Sequence, residues 1–291
     1  MRRVLIIGCG DVALRAIPLL TPHFRVYGLL RNPACLPKLR ALGVVPLRGD
    51  LDSRESLARV AGLADVVLHL APPPDTGSHD THTRNLLAAL SQGTPPGRLV
   101  YISTSGVYGD CGGARVSETG RLNPTSPRSQ RRADAEEQIR RWSIRNQVTA
   151  SILRVPGIYA ADRLPLERIR RRTPGIIASE DGYTNHIHAD DLARICVAAL
   201  RRGKVCRVYH ASDDSQLKMG EYIDLVADAY RLPRVPRVSR EEAQRVLSPL
   251  LLSFINESRR LDNRRMKREL KVRLRYPTVA DMLGESNGCQ Q

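Results

Sequence analysis

The 291-residue chain is 42% hydrophobic and 26% charged, enough apolar material for a sizeable core and unlike collagen-like or low-complexity sequences. Its 46 basic and 30 acidic residues give a formal charge of +16, which favours anionic ligands. The arginines are spread over predicted helices at 128–145, 163–172 and 259–275 and form no recognition motif, so solvated faces are expected and a nucleic-acid partner is not.

Residues 4–7 form a short apolar run directly before glycine, the pattern of a strand buried on both faces. The run is too short for the core of a leader peptide and passes straight into a glycine turn. A helix is expected over 12–20, bent or ended by Pro18, then a strand over 24–30 and a helix over 36–42. A short strand at 44–47 precedes a helix starting near Ser53, which is placed to cap it. Strands at 65–70, 98–103 and 148–155 alternate with helices at 81–90 and 133–142, the last continuing the basic stretch from 128. That alternation predicts a doubly wound parallel sheet covered on both faces, with ligands in the crevice beyond the strand ends. After Pro156 the pattern loosens: a helix over 164–172, a turn at Pro174-Gly175, a helix over 190–201, a strand over 205–210 returning to the sheet, and a helix over 219–229. From Glu241 the chain reads as mostly helical and basic. Residues 1–160 are therefore expected to form a nucleotide-binding domain. Residues 161–291 are expected to return one strand to its sheet and build a small lid or substrate region. No run reaches the ~20 apolar residues of a membrane span. Six cysteines (Cys9, Cys35, Cys111, Cys196, Cys206, Cys289) lack the spacing of a zinc cluster or a disulfide framework. A cytoplasmic protein without resident metal is expected.

The strongest local feature is Gly8-Cys9-Gly10-Asp11-Val12-Ala13, a G-x-G-x-x-A turn between the first strand and first helix. Gly8 permits the tight turn, Gly10 the approach of a pyrophosphate, and Ala13 close helix–strand contact, while the helix N-terminus offers amides to phosphate. An NAD site usually places an acidic residue at the end of the second strand. This chain has Arg31 there, whose guanidinium suits the 2′-phosphate of NADP; the plainer alternative is a surface arginine. NADP is therefore expected in preference to NAD. Asp50 and Leu51 follow the third strand near the adenine end, although Asp50 could also signal a helix cap. Leu70 and Ala71, after the fourth strand, would line the cofactor with backbone groups.

Together with later motifs, the sequence resembles the extended short-chain dehydrogenase/reductase family, on its epimerase/dehydratase branch. The resemblance rests on the glycine turn, Thr104 to Gly109 within STSGVYG, Leu153 to Tyr159, NHIHADDLA at 185–193 and the segment 258–270. It implies a Rossmann-like fold with a seventh strand and a substrate-covering C-terminal region. It also implies a hydroxyl residue, a tyrosine and a lysine at the active site. Thr104 matches the hydroxyl position. At the Tyr-x-x-x-Lys positions the chain has Arg128 and Arg132. A guanidinium at Arg132 can still bond the ribose, but Arg128 stays protonated at ordinary pH and is a poor proton shuttle, better suited to holding an anion. Tyr108 is a candidate replacement as proton donor, against the alternative that it packs beneath the site. Pro156 would shape the nicotinamide pocket, Asn185 would lie near substrate, and Asp190 would organise its loop and cap a helix. A homodimer through paired helices is implied as well, on a surface that the arginines of 128–145 make highly charged.

Two functions remain open. One is an atypical NADP-preferring oxidoreductase or epimerase-like enzyme acting on a small polar, anionic metabolite. The other is a catalytically inactive NADP(H)-binding sensor or interaction protein.

Overall fold

The structure, a computed structural model, describes residues 1–288, with side chains through residue 285; Cys289 lies outside the described residues. In chain order the strands of the main sheet are β1 (Arg2–Ile7), β2 (Phe24–Leu30), β3 (Val45–Arg48), β4 (Val66–His69) and β5 (Arg98–Thr104). The two-residue β6 (Arg115–Val116) interrupts before β7 (Thr149–Val155). Four short strands, β8 (Gly157–Tyr159), β9 (Gly175–Ile176), β10 (His186–His188) and, after β11 (Arg207–His210), β12 (Arg237–Val238), precede β13 (Arg260–Leu261). The helices are α1 (Asp11–Leu20), α2 (Leu36–Ala41), α3 (Thr81–Leu90), α4 (Pro127–Arg145), α5 (Leu166–Arg170), α6 (Ala189–Arg202), α7 (Met219–Ala229), α8 (Arg240–Val246), α9 (Pro249–Ile255), α10 (Arg264–Leu270) and α11 (Val279–Gly288).

Seven strands form one sheet in the order β11-β7-β5-β4-β1-β2-β3, and every pairing is parallel. The order reverses at β1, which pairs with β2 on one side and β4 on the other. The crevice beyond the ends of β1 and β4 is therefore the switch point, where this class of sheet binds ligands. Alternation across β1 explains its unbroken apolar run. Val4 and Ile6 join the layer beneath α1, α6 and α10, while Leu5 and Ile7 join the layer with Tyr101, Ile139 and Trp142. A third cluster, around Tyr159, Tyr222, Val226, Tyr276 and Val279, holds α7 and α11 together.

Several local expectations change. The helix expected from Ser53 is a 3₁₀ helix over Arg54–Val60, and Ser53 does not cap it through its side chain. Ser56 organises the segment instead, accepting from the Asp50 N–H at 2.8 Å and donating to the Ser53 carbonyl at 2.7 Å. Pro18 lies inside α1, which continues to Leu20. The helix expected at 164–172 shortens to α5 because Pro165 stands at its N-cap and Arg172 turns left-handed at φ 52°. Strand β11 begins at Arg207, not at residue 205, because Cys206 is itself left-handed at φ 52°. Three short parallel pairs, β6–β13, β8–β10 and β9–β12, had no signature in the sequence, being only two or three residues long.

Candidate functional site

At the end of β1 the chain turns with Gly8 at φ +89°, and a side chain there would bring its Cβ to 2.6 Å from the Ala71 nitrogen. Only glycine fits this close approach between the turns after β1 and β4. Gly10 is the opposite case. Its Cβ would meet nothing within 4 Å, and it begins α1 with no side-chain cap, leaving the first amides of the helix available. The open space over Gly10 fits a dinucleotide pyrophosphate. Asp11, in the first turn of α1, accepts from Arg15 at 2.9 Å and from Arg163 at 2.8 Å. Arg163 reaches across from the segment after β8.

Past the end of β2, Arg31 is 74% exposed at its side chain and 3.9 Å from Asp52. Asp52 is held at 2.9 Å by His82, and Asp50 accepts from the Asp52 N–H at 3.1 Å. Leu51 is buried, its carbonyl bonded to Asn85 at 2.7 Å. Leu70 donates its N–H to the Ile7 carbonyl at 2.8 Å, locking the two turns edge to edge.

A cleft of about 530 Å³ opens beside this turn. Val12, Leu70, Thr104 and Pro156 border it on the sheet side, and Arg128 and Arg132 border it from α4. The Thr104 oxygen accepts from the Gly106 N–H at 3.2 Å, which leaves its own hydroxyl hydrogen free to donate. Arg132 is buried. One of its nitrogens donates to the Ile102 carbonyl at 2.7 Å and the Tyr101 hydroxyl at 3.0 Å, while its Nε is buried without a partner. Arg128 stands one turn earlier with no side-chain hydrogen bond or ion pair among the described residues, its guanidinium 5.9 Å from the centre of the Phe254 ring. Its recess in the cleft, and then the charges of Arg132 and Arg131, lower its pKa from the ordinary arginine value.

One sequence-based assignment needs correction. Tyr108 does not border the cleft. It is 1% exposed, and its hydroxyl is held by Arg154 at 2.5 Å, His210 at 2.6 Å and the Ser117 carbonyl at 3.2 Å. Burial pushes its pKa up to about 12, so a proton-donor role for Tyr108 is not compatible with its position. Asn185 borders the cleft as expected, and its amide also ties the chain. It donates to the Arg259 carbonyl and accepts from the Leu261 N–H, both at 2.9 Å, so it positions β13.

The family model for the NAD dependent epimerase/dehydratase family matches residues 19–211. The chain belongs to that family. A dTDP-glucose 4,6-dehydratase from Mycobacterium tuberculosis is 27% identical over 192 residues, a match covering 58% of this chain and 57% of that protein. A structure described as a functionally unknown conserved protein from Silicibacter pomeroyi is 28% identical, with a TM-score of 0.80 and full coverage of both chains. The fold is shared with UDP-glucuronic acid 4-epimerase from Bacillus cereus in complex with NAD. That similarity has a TM-score of 0.76 at 19% identity, over 98% of this chain and 96% of the other.

The cleft carries a strongly basic lining. Besides Arg128 and Arg132, it is lined by Arg163, Arg168 and Arg259 from the C-terminal region; its sole carboxylate among the described lining residues is Glu257. Glu257 is held at 2.8 Å by Arg259, which is itself buried with an unpartnered Nε. Burial and then the Arg237 charge lower the Arg168 pKa. Sequence reasoning missed Arg163, Arg168, Glu257 and Arg259, along with His186 and Tyr222 as cleft walls. They lie on short elements whose approach to the cleft depends on long-range packing, and only the general arginine excess hinted at them.

Proposed function

We propose that the protein is an NADP-preferring member of its family that carries out hydride-transfer chemistry on a small polar, anionic metabolite. The observation that carries this reading is the convergence of five guanidinium groups on a cleft that opens beside the dinucleotide turn. Arg132 is buried and, like Arg128 and Arg168, forms no ion pair among the described residues, so an anionic ligand would offset the cost of holding these charges together. The sugar nucleotide named for the Mycobacterium relative is one anion of this kind.

When bound, the dinucleotide supplies the hydride donor or acceptor. The chain's residues do the rest. Gly8, Gly10 and the start of α1 (Asp11, Val12) hold the pyrophosphate, Arg31 meets the 2′-phosphate, and Asp50, Leu51, Leu70 and Ala71 frame the adenosine and ribose. Arg132 and Pro156 fix the nicotinamide end. Thr104 donates to a substrate oxygen, and Arg128 orients the substrate's anionic group. Calorimetry with NAD, NADH, NADP and NADPH tests this. The expected result is preference for the phosphorylated pair, reduced about 10- to 100-fold by Arg31→Ala with NAD binding unchanged, the loss expected for one charge-assisted contact. Equal affinity for NAD and NADP would overturn the preference.

A second reading, a binding protein without turnover, draws support from Arg128 at the position where the family pattern has its tyrosine. It predicts tight cofactor binding with no conversion of any tested anion.

A further inference from the structure

Asp11 is a surprising neighbour for a phosphate. It is the first residue of α1, directly after Gly10, so its carboxylate stands beside the uncapped amides of the helix N-terminus. Burial raises its pKa, but hydrogen bonds from Arg163 and Arg15 outweigh that and leave it below the ordinary carboxylate value. The group is therefore ionised, and a diphosphate brought beside it is repelled unless a cation comes with it.

Two arginines reach Asp11, and they differ in what else they hold. Arg15 donates to Asp11 at 2.9 Å, to Asp190 at 2.7 Å and to Asp162 at 3.1 Å, so its guanidinium is shared among three carboxylates. Arg163 donates to Asp11 at 2.8 Å, and among the described residues no other side chain pairs with it. It ends a 3₁₀ turn over Ala161–Arg163, just past β8, and lines the cleft together with Val12 of α1. Its guanidinium thus bridges the first turn of α1 and the cleft wall. The side chains of Arg163 and Asp11 keep 38% and 36% of their surface in solvent, and an ion pair so placed adds little to stability. It is readily exchanged for a partner of higher charge. A diphosphate is such a partner, with several acceptor oxygens matched to the fork of an arginine. The open space over Gly10, one residue before Asp11, lies at the same turn.

We propose that Arg163 is a pyrophosphate-binding residue of the dinucleotide site, leaving Asp11 for the phosphate oxygens when the cofactor enters. The inference rests on the cofactor reading above, and it assigns one of the five cleft guanidiniums to the dinucleotide instead of the substrate. Arg15 stays on Asp11 and keeps that carboxylate paired.

Calorimetry with NADP⁺ on the full chain tests this with Arg163→Gln, Asp11→Asn and the two combined, each checked for an intact fold by circular dichroism. Arg163→Gln should weaken binding about 10- to 100-fold, the loss expected for one charge-assisted contact, and should flatten the fall of affinity with added salt. Arg163→Lys, which keeps the charge, should recover part of the loss. Asp11→Asn should bind at least as tightly as wild type, because Arg163 no longer has to leave a carboxylate. In that background Arg163→Gln should still cost at least the same factor. An arginine that merely braced Asp11 would lose its effect there, and that result would overturn the proposal. Full-strength NADP⁺ binding by Arg163→Gln would overturn it too, leaving the cofactor reading intact. If the wild type binds neither NADP⁺ nor NAD⁺, the cofactor reading fails and the proposal falls with it.

Discussion

Gly8 and Gly10 stand two residues apart in one motif, yet the same substitution should do different things to them. Gly8→Ala forces a Cβ against the Ala71 backbone at a positive φ, and the backbone strain alone costs about 1–3 kcal/mol. Its melting temperature should fall clearly in a thermal scan. Gly10 has φ −82° and open space beyond it. Gly10→Ala should therefore keep or slightly raise the melting temperature, by the ~0.4–1 kcal/mol gained when a compatible glycine is stiffened. Calorimetry should still show at least tenfold weaker NADP(H) binding, because the new methyl occupies the phosphate's approach. The turn was legible in the sequence, since a strand–glycine–helix junction has a local geometry. For Tyr108 the sequence offered packing beneath the site only as an alternative, and nothing local showed that Arg154 and His210 would take its hydroxyl.

At the scale of elements, a buried ion pair ties α4 to the sheet. Glu136 of α4 accepts from Arg154 of β7 at 3.0 and 2.7 Å and from Ser103 of β5 at 2.7 Å. Both side chains are almost fully buried. Burial lowers the Arg154 pKa, but the Glu136 hydrogen bonds and charge outweigh that and leave it raised. Breaking such a pair leaves an uncompensated buried charge, so Glu136→Gln should cost about 3–5 kcal/mol in urea denaturation. Because α4 also presents Arg128 and Arg132, the variant should bind NADP less tightly as well. The helix itself was expected from its position between two β-rich runs. Its attachment was not, because Glu136 sits among so many surface charges that nothing local marks it as buried. The pairing of β8 with β10, which brings Gly157 against His186, was equally hidden: three residues carry no readable periodicity.

For the molecule as a whole, buried titratable groups set opposing pH dependences. Burial is the largest cause in each case, depressing His69, His186 and His210 to about 3 from 6.5. Between those values the unfolded chain binds more protons, so their contribution to stability is lost as pH falls below about 6.5. Asp213 is raised from 3.8 to about 7, again chiefly by burial. The folded state then binds the extra proton, and this contribution is present at low pH and lost as pH rises through 7. Asp213→Asn should accordingly be more stable than wild type at pH 8 in urea denaturation, with the advantage shrinking at pH 5. An unchanged difference between the two pH values would count against the assignment. The parallel sheet was readable because each central strand announces itself as an apolar run between helices; the order in which the strands lie follows from crossover handedness and packing. That order has a consequence for synthesis. The strand β11, delivered only at Arg207–His210, covers the outer edge of β7, and α6 packs against α1, with Arg15 bonded to Asp190 at 2.7 Å. A nascent chain that has emerged only through residue 160 has six strands of the sheet but leaves the outer edge of the long strand β7 uncovered and the apolar face of α1 bare. Until some fifty more residues leave the ribosome, this half-built sheet is the species most exposed to wrong pairing with its neighbours on a polysome.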